Sequence, residues 1–427
     1  MDTTEALIAY FILFDEDDDE NRLTIEDRRR RDRRYPRIAI QYYEQSSFKY
    51  LFLSGDEQAL LNACGVDHKV FDELLAVFQP IYDTHTYDRE TGHIKKLKLS
   101  PQGVPRGVTR HLDATGCLGL ILHWYRTRGS CARSIALHFG LTSSCLYRWI
   151  KFGRRVLLNG LQHVPAAKVS TPTPVEIEDY IAAIGAKYPI MEEERVWGAC
   201  DGLKIKLQTS TNYAKQNQNY NGWASGTYIG AVYVFAPDGR IRICAMNCPG
   251  SWHDSTMSNY GVYRKMEAIY ASHKGKVLVD SAFKLKEAPY LMKSSQAEDP
   301  KLGARGVLLN RQATSVRQFA EHGMRMIQGQ FPRLKDPLQL EELGERKVII
   351  SLMILLYNYQ TSTVGVNQIL NTYMSKTKGF ESYHGESEEE EEEAALKRYK
   401  RATTFRGRNE PYHGYQYRID CDANGML

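Results

Sequence analysis

Residues 196–360 contain three consecutive strand patterns, then a helix, a fourth strand and two more helices, and this order leaves few folds available. Apolar and polar residues alternate in the second half of 196–207, residues 227–235 are almost all apolar, and residues 241–245 alternate again. The Asp238-Gly239 pair is typical of a hairpin turn. The later elements are predicted at 254–271, 276–280, 314–328 and 345–360. Three strands joined by short links favour an antiparallel meander.

The order matches a ribonuclease-H-like α/β fold, in which helices flank a mixed sheet. In that sheet the middle of the first strand lies beside the end of the fourth, so Asp201 and Asp280 should meet. A carboxylate from a later helix, Glu321, would close the site. Phosphodiester cleavage needs an activated oxygen nucleophile and a neutralised leaving oxygen, and two divalent ions can serve both ends. Because Mg²⁺ (or Mn²⁺) prefers carboxylate oxygens, and clustered carboxylates repel each other without a cation, we predict a two-metal site on these three residues.

A second polar cluster, at residues 250–255, follows the third strand. Asp254 is predicted as an additional metal ligand or phosphate contact. His253 is predicted as an auxiliary residue that polarises a phosphate or holds Asp254 in place. The alternative is structural, since Ser251 or Asp254 could simply cap the following helix.

The preceding region, residues 101–160, is far more basic than the chain as a whole. It holds nine Lys and Arg residues against a single acid, Asp113, a local balance of +8, whereas the 427-residue chain has a net charge of +5. A positive surface this concentrated suits a polyanion, because phosphate contacts release counterions. The region therefore favours contact with DNA.

A helix-turn-helix pattern lies in this all-α region, at about residues 130–155. The apolar residues predicted on the buried faces of its two helices are Ile135, Ala136, Phe139, Leu146, Trp149 and Ile150. Gly140 permits the tight turn, and Thr142 or a neighbouring serine can cap the second helix. The residues left on or near the outside, and predicted to bind DNA, are Arg148, Lys151, Arg154 and Arg155. A generic helical hairpin fits the apolar pattern as well, and the charge favours the DNA-binding interpretation.

Runs of charge near both ends suggest the limits of the folded regions. An acidic run at 15–20 precedes a basic run at 28–34, and residues 388–393 are six consecutive glutamates. Such blocks usually mark solvated, flexible segments. The predicted organisation is a largely flexible charged segment at 1–47, a helical domain at 48–170, a ribonuclease-H-like domain at 175–375 and a disordered, low-complexity tail at 376–427. The basic run is a nuclear localisation element, a phosphate-binding arm or a plain solvated linker, and we expect a nuclear protein.

Other function classes lack the sequence features that they need. The longest apolar runs fall well short of the ~20 residues of a membrane helix. None of the eight cysteines forms a C-x-x-C pair. A helix-turn-helix regulator with a small-molecule domain is less well supported than a nuclease, because the sequence offers no Gly-rich phosphate loop or cofactor motif.

These motifs resemble those of the DDE transposases of the PIF/Harbinger superfamily and of the nucleases derived from them. The resemblance covers about residues 115–372 and is most specific in the P-G-S-x-H-D-S string at 249–255. The other elements follow in the family's order: Asp201-Gly202, a block at 279–283 similar to G-D-S-G-Y, Arg317-x-x-x-Glu321 with Phe331, and Leu356-Tyr357-Asn358. One departure is Lys204, where the family often has His.

The resemblance implies that Asp201, Asp280 and Glu321 form a catalytic Asp-Asp-Glu triad, with Arg317 as an auxiliary residue. It implies Mg²⁺-dependent hydrolysis at the ends of a DNA element, followed by attack of the freed 3′-hydroxyl on target DNA. It also implies a separate Myb-like partner protein that helps to bind DNA, and we expect a homo-oligomer. The alternative is a domesticated, transposase-derived DNA-binding protein without nuclease activity.

Overall fold

In the computed structural model, the described residues are 42–88, 90–98, 110–129, 132–283, 288–293, 303–340, 342–365 and 367–374. The predicted flexible segment at 1–47, apart from its last six residues, and the predicted tail at 376–427 lie outside them. The helical and mixed regions both belong to one compact unit, Met1–Ser375. None of the described helices is long and apolar enough to cross a membrane.

The first half of the described chain is helical. Its helices are α1 (Ser47–Leu53), α2 (Glu57–Cys64), α3 (His68–Thr84), α4 (Ala114–Arg126), α5 (Ala132–His138) and α6 (Ser143–Leu161), and a small hairpin of β1 (His85–Tyr87) and β2 (Ile94–Lys96) follows α3. The side chains of Asp56, Asp67 and Asp113 accept backbone N–H bonds at the starts of α2, α3 and α4. These bonds satisfy donors that the first turn of a helix leaves open, and so fix where each helix begins.

Helices α5 and α6 lie where the helix-turn-helix pattern predicts two helices. Gly140 adopts a left-handed conformation in the turn (φ 63°), which a residue without a Cβ adopts at little cost. The Thr142 hydroxyl oxygen accepts the backbone N–H of Cys145 and caps α6. All six apolar residues predicted on the inner faces are buried.

Within the described residues, the second half of the chain folds around a six-stranded mixed sheet. Its strands are β3 (Val196–Lys206), β4 (Tyr220–Asn221), β5 (Gly226–Phe235), β6 (Ile241–Pro249), β7 (Lys276–Val279) and β8 (Leu291–Lys293). Its helices are α7 (Pro174–Gly185), α8 (Pro189–Glu193), α9 (Tyr213–Asn219), α10 (Asp254–Ser258), α11 (Val262–His273), α12 (Gly303–Gln330), α13 (Leu343–Val364) and α14 (Gln368–Tyr373). Short 3₁₀ turns occur at Tyr43–Gln45 and Pro332–Lys335.

The strand order is that of a ribonuclease-H-like sheet. Central strand β3 is antiparallel to β5 on one side and parallel to β7 on the other. Strands β4 and β6 pair with β5 in antiparallel fashion, and β8 is parallel to β7. The predicted fold class, a helical region followed by a ribonuclease-H-like mixed sheet, is confirmed. The single helix predicted over 254–271 is two helices, because Gly261 (φ 97°) interrupts it.

Apolar side chains cover both faces of the sheet. One face, which includes Val277, packs under α7 and α11. The other face, which includes Phe235, packs under α12, and this core continues into the helical half. The two halves are also joined by hydrogen bonds, such as the one that the Tyr125 hydroxyl of α4 donates to the Ile349 carbonyl of α13 (2.8 Å). The helical half and the sheet therefore share one hydrophobic core.

Candidate active site

The strand register brings Asp201 and Asp280 together. Ala199 of β3 pairs with Leu278 of the parallel strand β7, so the positions two residues further along each strand are also neighbours. Asp201 lies on β3, and Asp280 directly follows the end of β7. The two carboxylates lie together, as the strand order predicts.

A third carboxylate, Asp254, reaches the same point from the first turn of α10. Among the described residues, Asp201, Asp254 and Asp280 each offer a ligand oxygen, and these oxygens lie within 4.8 Å of one another. The strand leaves room for Asp254 because the residue beside it is Gly202. A Cβ at Gly202 would lie 2.6 Å from Oδ1 of Asp254 and closer still to Oδ2. We call the three residues the aspartate cluster.

Lys204 of β3 holds the loop that leads into α10, residues 250–253, which we call the aspartate loop. The Lys204 ammonium group donates hydrogen bonds to the carbonyl oxygens of Gly250 (3.3 Å) and Trp252 (2.8 Å). From the sequence, Lys204 was only a departure from a family pattern, and its role in positioning this loop was missed. The sequence signal that could have shown this role is the two-residue period of a strand, which places Gly202 and Lys204 on the same face of β3.

Burial and mutual repulsion make the cluster unfavourable without a cation. Burial is the largest cause that raises the pKa of Asp201 to about 7, and the charges of Asp280 and Asp254 add to it, against a hydrogen bond from the Gly202 N–H (2.8 Å). Burial also raises the pKa of Asp254. A hard divalent cation favours carboxylate oxygens and would relieve this repulsion. The residues present therefore fit a divalent metal ion.

Glu321, predicted as the third member of the triad, is not in the cluster found among the described residues. It lies on α12, where its carboxylate forms an ion pair with Arg317 one turn earlier (2.8 Å). The Arg317 guanidinium is also close enough to Asp201 to oppose the rise in the pKa of that residue. Arg317 thus interacts with Glu321 directly and with the cluster through its charge.

His253 is exposed and occupies the position that precedes α10. Its side chain makes no capping hydrogen bond to that helix. Ser251, considered from the sequence as a cap, instead donates its hydroxyl to the Gln218 carbonyl (2.8 Å). The structural alternative, in which Ser251 or Asp254 caps α10, is therefore wrong.

Two of the basic residues predicted to bind DNA are ion-paired within the chain. Lys151 of α6 lies 3.0 Å from a carboxylate oxygen of Glu342, just before α13. Arg155 pairs with Glu345 in the first turn of α13. These pairs tie the second helix of the helix-turn-helix to the body of the sheet domain.

Arg154 of α6 is buried, with only 6% of its surface exposed. Its guanidinium lies over the ring of Trp124 (4.2 Å to the ring centre) and 3.9 Å from Glu345. The expectation that Arg154 lies on or near the outside of the helix is therefore wrong. Arg148, one turn from Lys151, is partly exposed.

Comparison with known proteins identifies the sheet domain. Residues 200–358 match the DDE superfamily endonuclease family. The match begins one residue before Asp201 and contains the whole aspartate cluster and Glu321. No curated protein and no solved structure matches the chain. The protein thus contains a DDE endonuclease domain, and the helical half precedes the matched segment.

We expect Gly202→Ala to weaken Mn²⁺ binding to the DDE domain by about 10–100-fold, the range seen when a group that orients metal ligands is altered. The added Cβ would displace the Asp254 carboxylate from the cluster. Isothermal titration of the full-length protein with MnCl₂ measures the change. Gly344→Ala is the matched control, because a Cβ at that helical position meets nothing within 4 Å. Wild-type affinity in a folded Gly202→Ala protein would exclude Asp254 as a ligand.

Proposed function

We propose that this protein is a divalent-metal-dependent DNA endonuclease of the transposase type, related to the PIF/Harbinger superfamily. The observation that carries the proposal is the meeting of Asp201, Asp254 and Asp280 inside a segment that matches a DDE endonuclease. The three carboxylates come from three separate elements, and two of them have raised pKa values. Clustered groups perturbed in this way are most often found at functional sites.

In this proposal the aspartate cluster holds Mg²⁺ or Mn²⁺, with two ions expected. The bound metal would supply an activated oxygen nucleophile and stabilise the leaving oxygen of the phosphodiester. Glu321 would join the site by giving up its ion pair with Arg317, and would then accept the proton of the attacking water. Arg317, once released, would bind a non-bridging phosphate oxygen, as would the exposed His253.

The substrate implied by a DDE endonuclease domain is DNA. We extend the proposal to joining of the freed 3′-hydroxyl to target DNA, to a homo-oligomer, to a Myb-like partner protein and to a nuclear location. On α6, Arg148 would contact DNA directly. Lys151, Arg154 and Arg155 interact first with acidic residues of the same chain.

Purified full-length protein is expected to nick supercoiled plasmid when Mg²⁺ or Mn²⁺ is present and to lose this activity in EDTA. The reason is that the three carboxylates of the aspartate cluster would repel a phosphate until a divalent cation is bound among them. Conversion of supercoiled to open-circular DNA on a gel measures the reaction. Excess Mn²⁺ added after EDTA should restore nicking, which separates metal loss from denaturation.

A second candidate function is DNA binding by a transposase-derived protein without nuclease activity. The observation that favours it is the Arg317–Glu321 ion pair, which leaves the predicted glutamate ligand outside the cluster. This candidate predicts plasmid binding without nicking in either metal ion. It also predicts that Arg317→Ala, which would release Glu321, does not create nicking activity. Metal-dependent nicking by the wild-type protein would exclude it.

A further inference from the structure

A small exposed segment, made of α9, β4 and the turn at 222–225, connects β3 to β5 along the chain. Its strand β4 pairs with the start of β5, and we call the segment the hairpin. Trp223 stands in its turn and is 97% exposed. The other tryptophans of the chain are buried or partly buried, at Trp124, Trp149, Trp197 and Trp252. A fully exposed tryptophan on an ordered turn contributes almost no packing to the fold and leaves its ring accessible to another molecule.

The turn that carries Trp223 is held in one shape. Asn221 pairs with Gly226 across the hairpin, and its side-chain oxygen accepts the backbone N–H of Ala224 (2.9 Å). Ser225 completes the turn in a left-handed conformation (φ 47°). Because the backbone is already ordered, a contact through Trp223 loses little conformational entropy on binding.

The hairpin is bonded directly to the aspartate loop. The Asn221 side-chain amide donates to the Gly250 carbonyl (2.8 Å), and the Ser251 hydroxyl donates to the Gln218 carbonyl (2.8 Å). Gly250 and Ser251 belong to the loop that leads into the first turn of α10. The turn of Trp223 is therefore fixed relative to the aspartate cluster.

The chemistry of this hairpin suits a nucleic acid strand. Residues 202–237 contain no Asp or Glu, and their charged residues are Lys204, Lys206 and Lys215. Two further exposed aromatic residues, Tyr213 and Tyr220, precede the turn in the sequence, and side chains with amide groups occupy positions 212, 216–219 and 221. Aromatic faces stack on bases of any sequence, and a surface without carboxylates does not repel phosphates.

We propose that Trp223 stacks on a DNA base beside the phosphate that the aspartate cluster would cleave. The hairpin then acts as a contact surface that fixes the strand relative to the metal ligands. The choice of DNA rests on the proposed function, whereas the stacking contact itself does not require the cluster to be catalytically active.

The fluorescence of Trp223 can report the contact, because Trp223 is by far the most exposed tryptophan of the chain. Acrylamide quenching of intrinsic fluorescence would be measured on full-length Asp201→Asn protein, with and without a saturating DNA duplex that carries a single-stranded flank. We expect DNA to reduce quenching to the level of the same protein with Trp223→Phe. Quenching that is unchanged at saturating DNA would overturn the proposal.

The affinity for the same DNA gives a second test. Trp223→Ala should bind roughly 5- to 100-fold more weakly, the range expected for loss of one stacked base, and Trp223→Phe should bind nearly as well as the wild type. Tyr50→Ala removes another exposed aromatic residue, on α1 of the helical half, and serves as the matched control. Equal losses in the Trp223→Ala and Tyr50→Ala proteins would overturn a specific contact.

The outcomes separate this proposal from the proposed function. Protection of Trp223 by DNA without plasmid nicking would support the stacking contact and reject the nuclease. Plasmid nicking without protection of Trp223 would support the nuclease and reject the stacking contact. The alternative contact for Trp223 is a second copy of the chain, and light scattering tests it by measuring the oligomeric state. An oligomer that the Trp223→Ala substitution dissociates would overturn the DNA contact.

Discussion

Asp201→Asn is expected to reduce metal-dependent strand cleavage by at least about 10³-fold and, at the same time, to stabilise the metal-free protein. Asparagine keeps the shape of the side chain and removes the charge that binds a cation. Asp201 lies on the central strand, and its ligand oxygen lies within 4.8 Å of those of Asp254 and Asp280, so its loss should affect any metal ion that the cluster holds. The two predictions thus concern the same carboxylate.

The stabilisation has a definite dependence on pH. Folding raises the pKa of Asp201 from its ordinary 3.8 to about 7, so between these values the folded protein holds more protons than the unfolded chain. The free energy of unfolding of the wild-type, metal-free protein therefore falls as pH rises from about 4 to about 7. Because asparagine does not ionise, the variant should gain roughly 2–4 kcal/mol at pH 8 in EDTA and almost nothing near pH 4.

Plasmid nicking and thermal melting in EDTA at the two pH values measure both effects. Asp179→Asn is the matched control, because Asp179 is exposed on α7 and its neutralisation should change neither quantity. Cleavage by Asp201→Asn at the wild-type rate would reject the metal site. A lower melting temperature of the variant at pH 8 would contradict the repulsion described within the cluster.

Glu345→Gln is expected to lower the free energy of unfolding by about 3–5 kcal/mol, the largest change in stability that we predict. The Glu345 side chain is only 11% exposed and lies against Arg155, with the buried Arg154 at 3.9 Å. Glutamine would leave two guanidinium charges at the junction of α6 and α13 without a counter-charge. Breaking a buried pair from one side costs far more than the pair contributes when intact.

Urea denaturation of the full-length protein measures this prediction, with Glu342→Gln as its control. Glu342 forms the neighbouring ion pair with Lys151, but its side chain is 40% exposed, so that substitution should cost about 0–1 kcal/mol. Equal effects of the two substitutions would show that the Glu345 pairs are as well solvated as the Glu342 pair.

The fold could be predicted from the sequence because its main signals are local. Strand alternation, the Asp238-Gly239 turn and the order of elements were enough to place Asp201 beside Asp280. Asn358 of α13, which belongs to the motif resembling the family's closing block, has a structural role. Its side chain accepts the N–H of Ile241 (2.8 Å) and donates to the Ile241 carbonyl (3.0 Å), and so fixes the start of β6.

The basic region shows why charge counted along the chain misleads. The count over residues 101–160 finds almost no acid, yet folding brings acids from another segment against it. Lys151 and Arg155 pair with Glu342 and Glu345, which lie about 190 residues later. The positive charge that the sequence assigns to a DNA surface is thus partly used to hold the protein together.

The membership of the site was predictable only in part, for a similar reason. The choice between Asp254 and Glu321 depends on side-chain packing that no spacing reveals. Asp254 joins the cluster because Gly202 leaves space for it, and Glu321 is turned towards Arg317 on its own helix. The exposed turn of Trp223 gave no periodic signal, and its link to the aspartate loop exists only in three dimensions.

The core shared by the two halves has a consequence for how the chain is made. Helix α6 ends at residue 161, and α13, which covers it, begins at residue 343. At roughly 5–20 residues per second, a ribosome needs on the order of ten to forty seconds to synthesise the chain from the end of α6 through α13. During this interval the nascent helices present an uncovered apolar surface. Chaperones that bind such surfaces thus have a defined period in which to act, and this period ends only when α13 has left the exit tunnel.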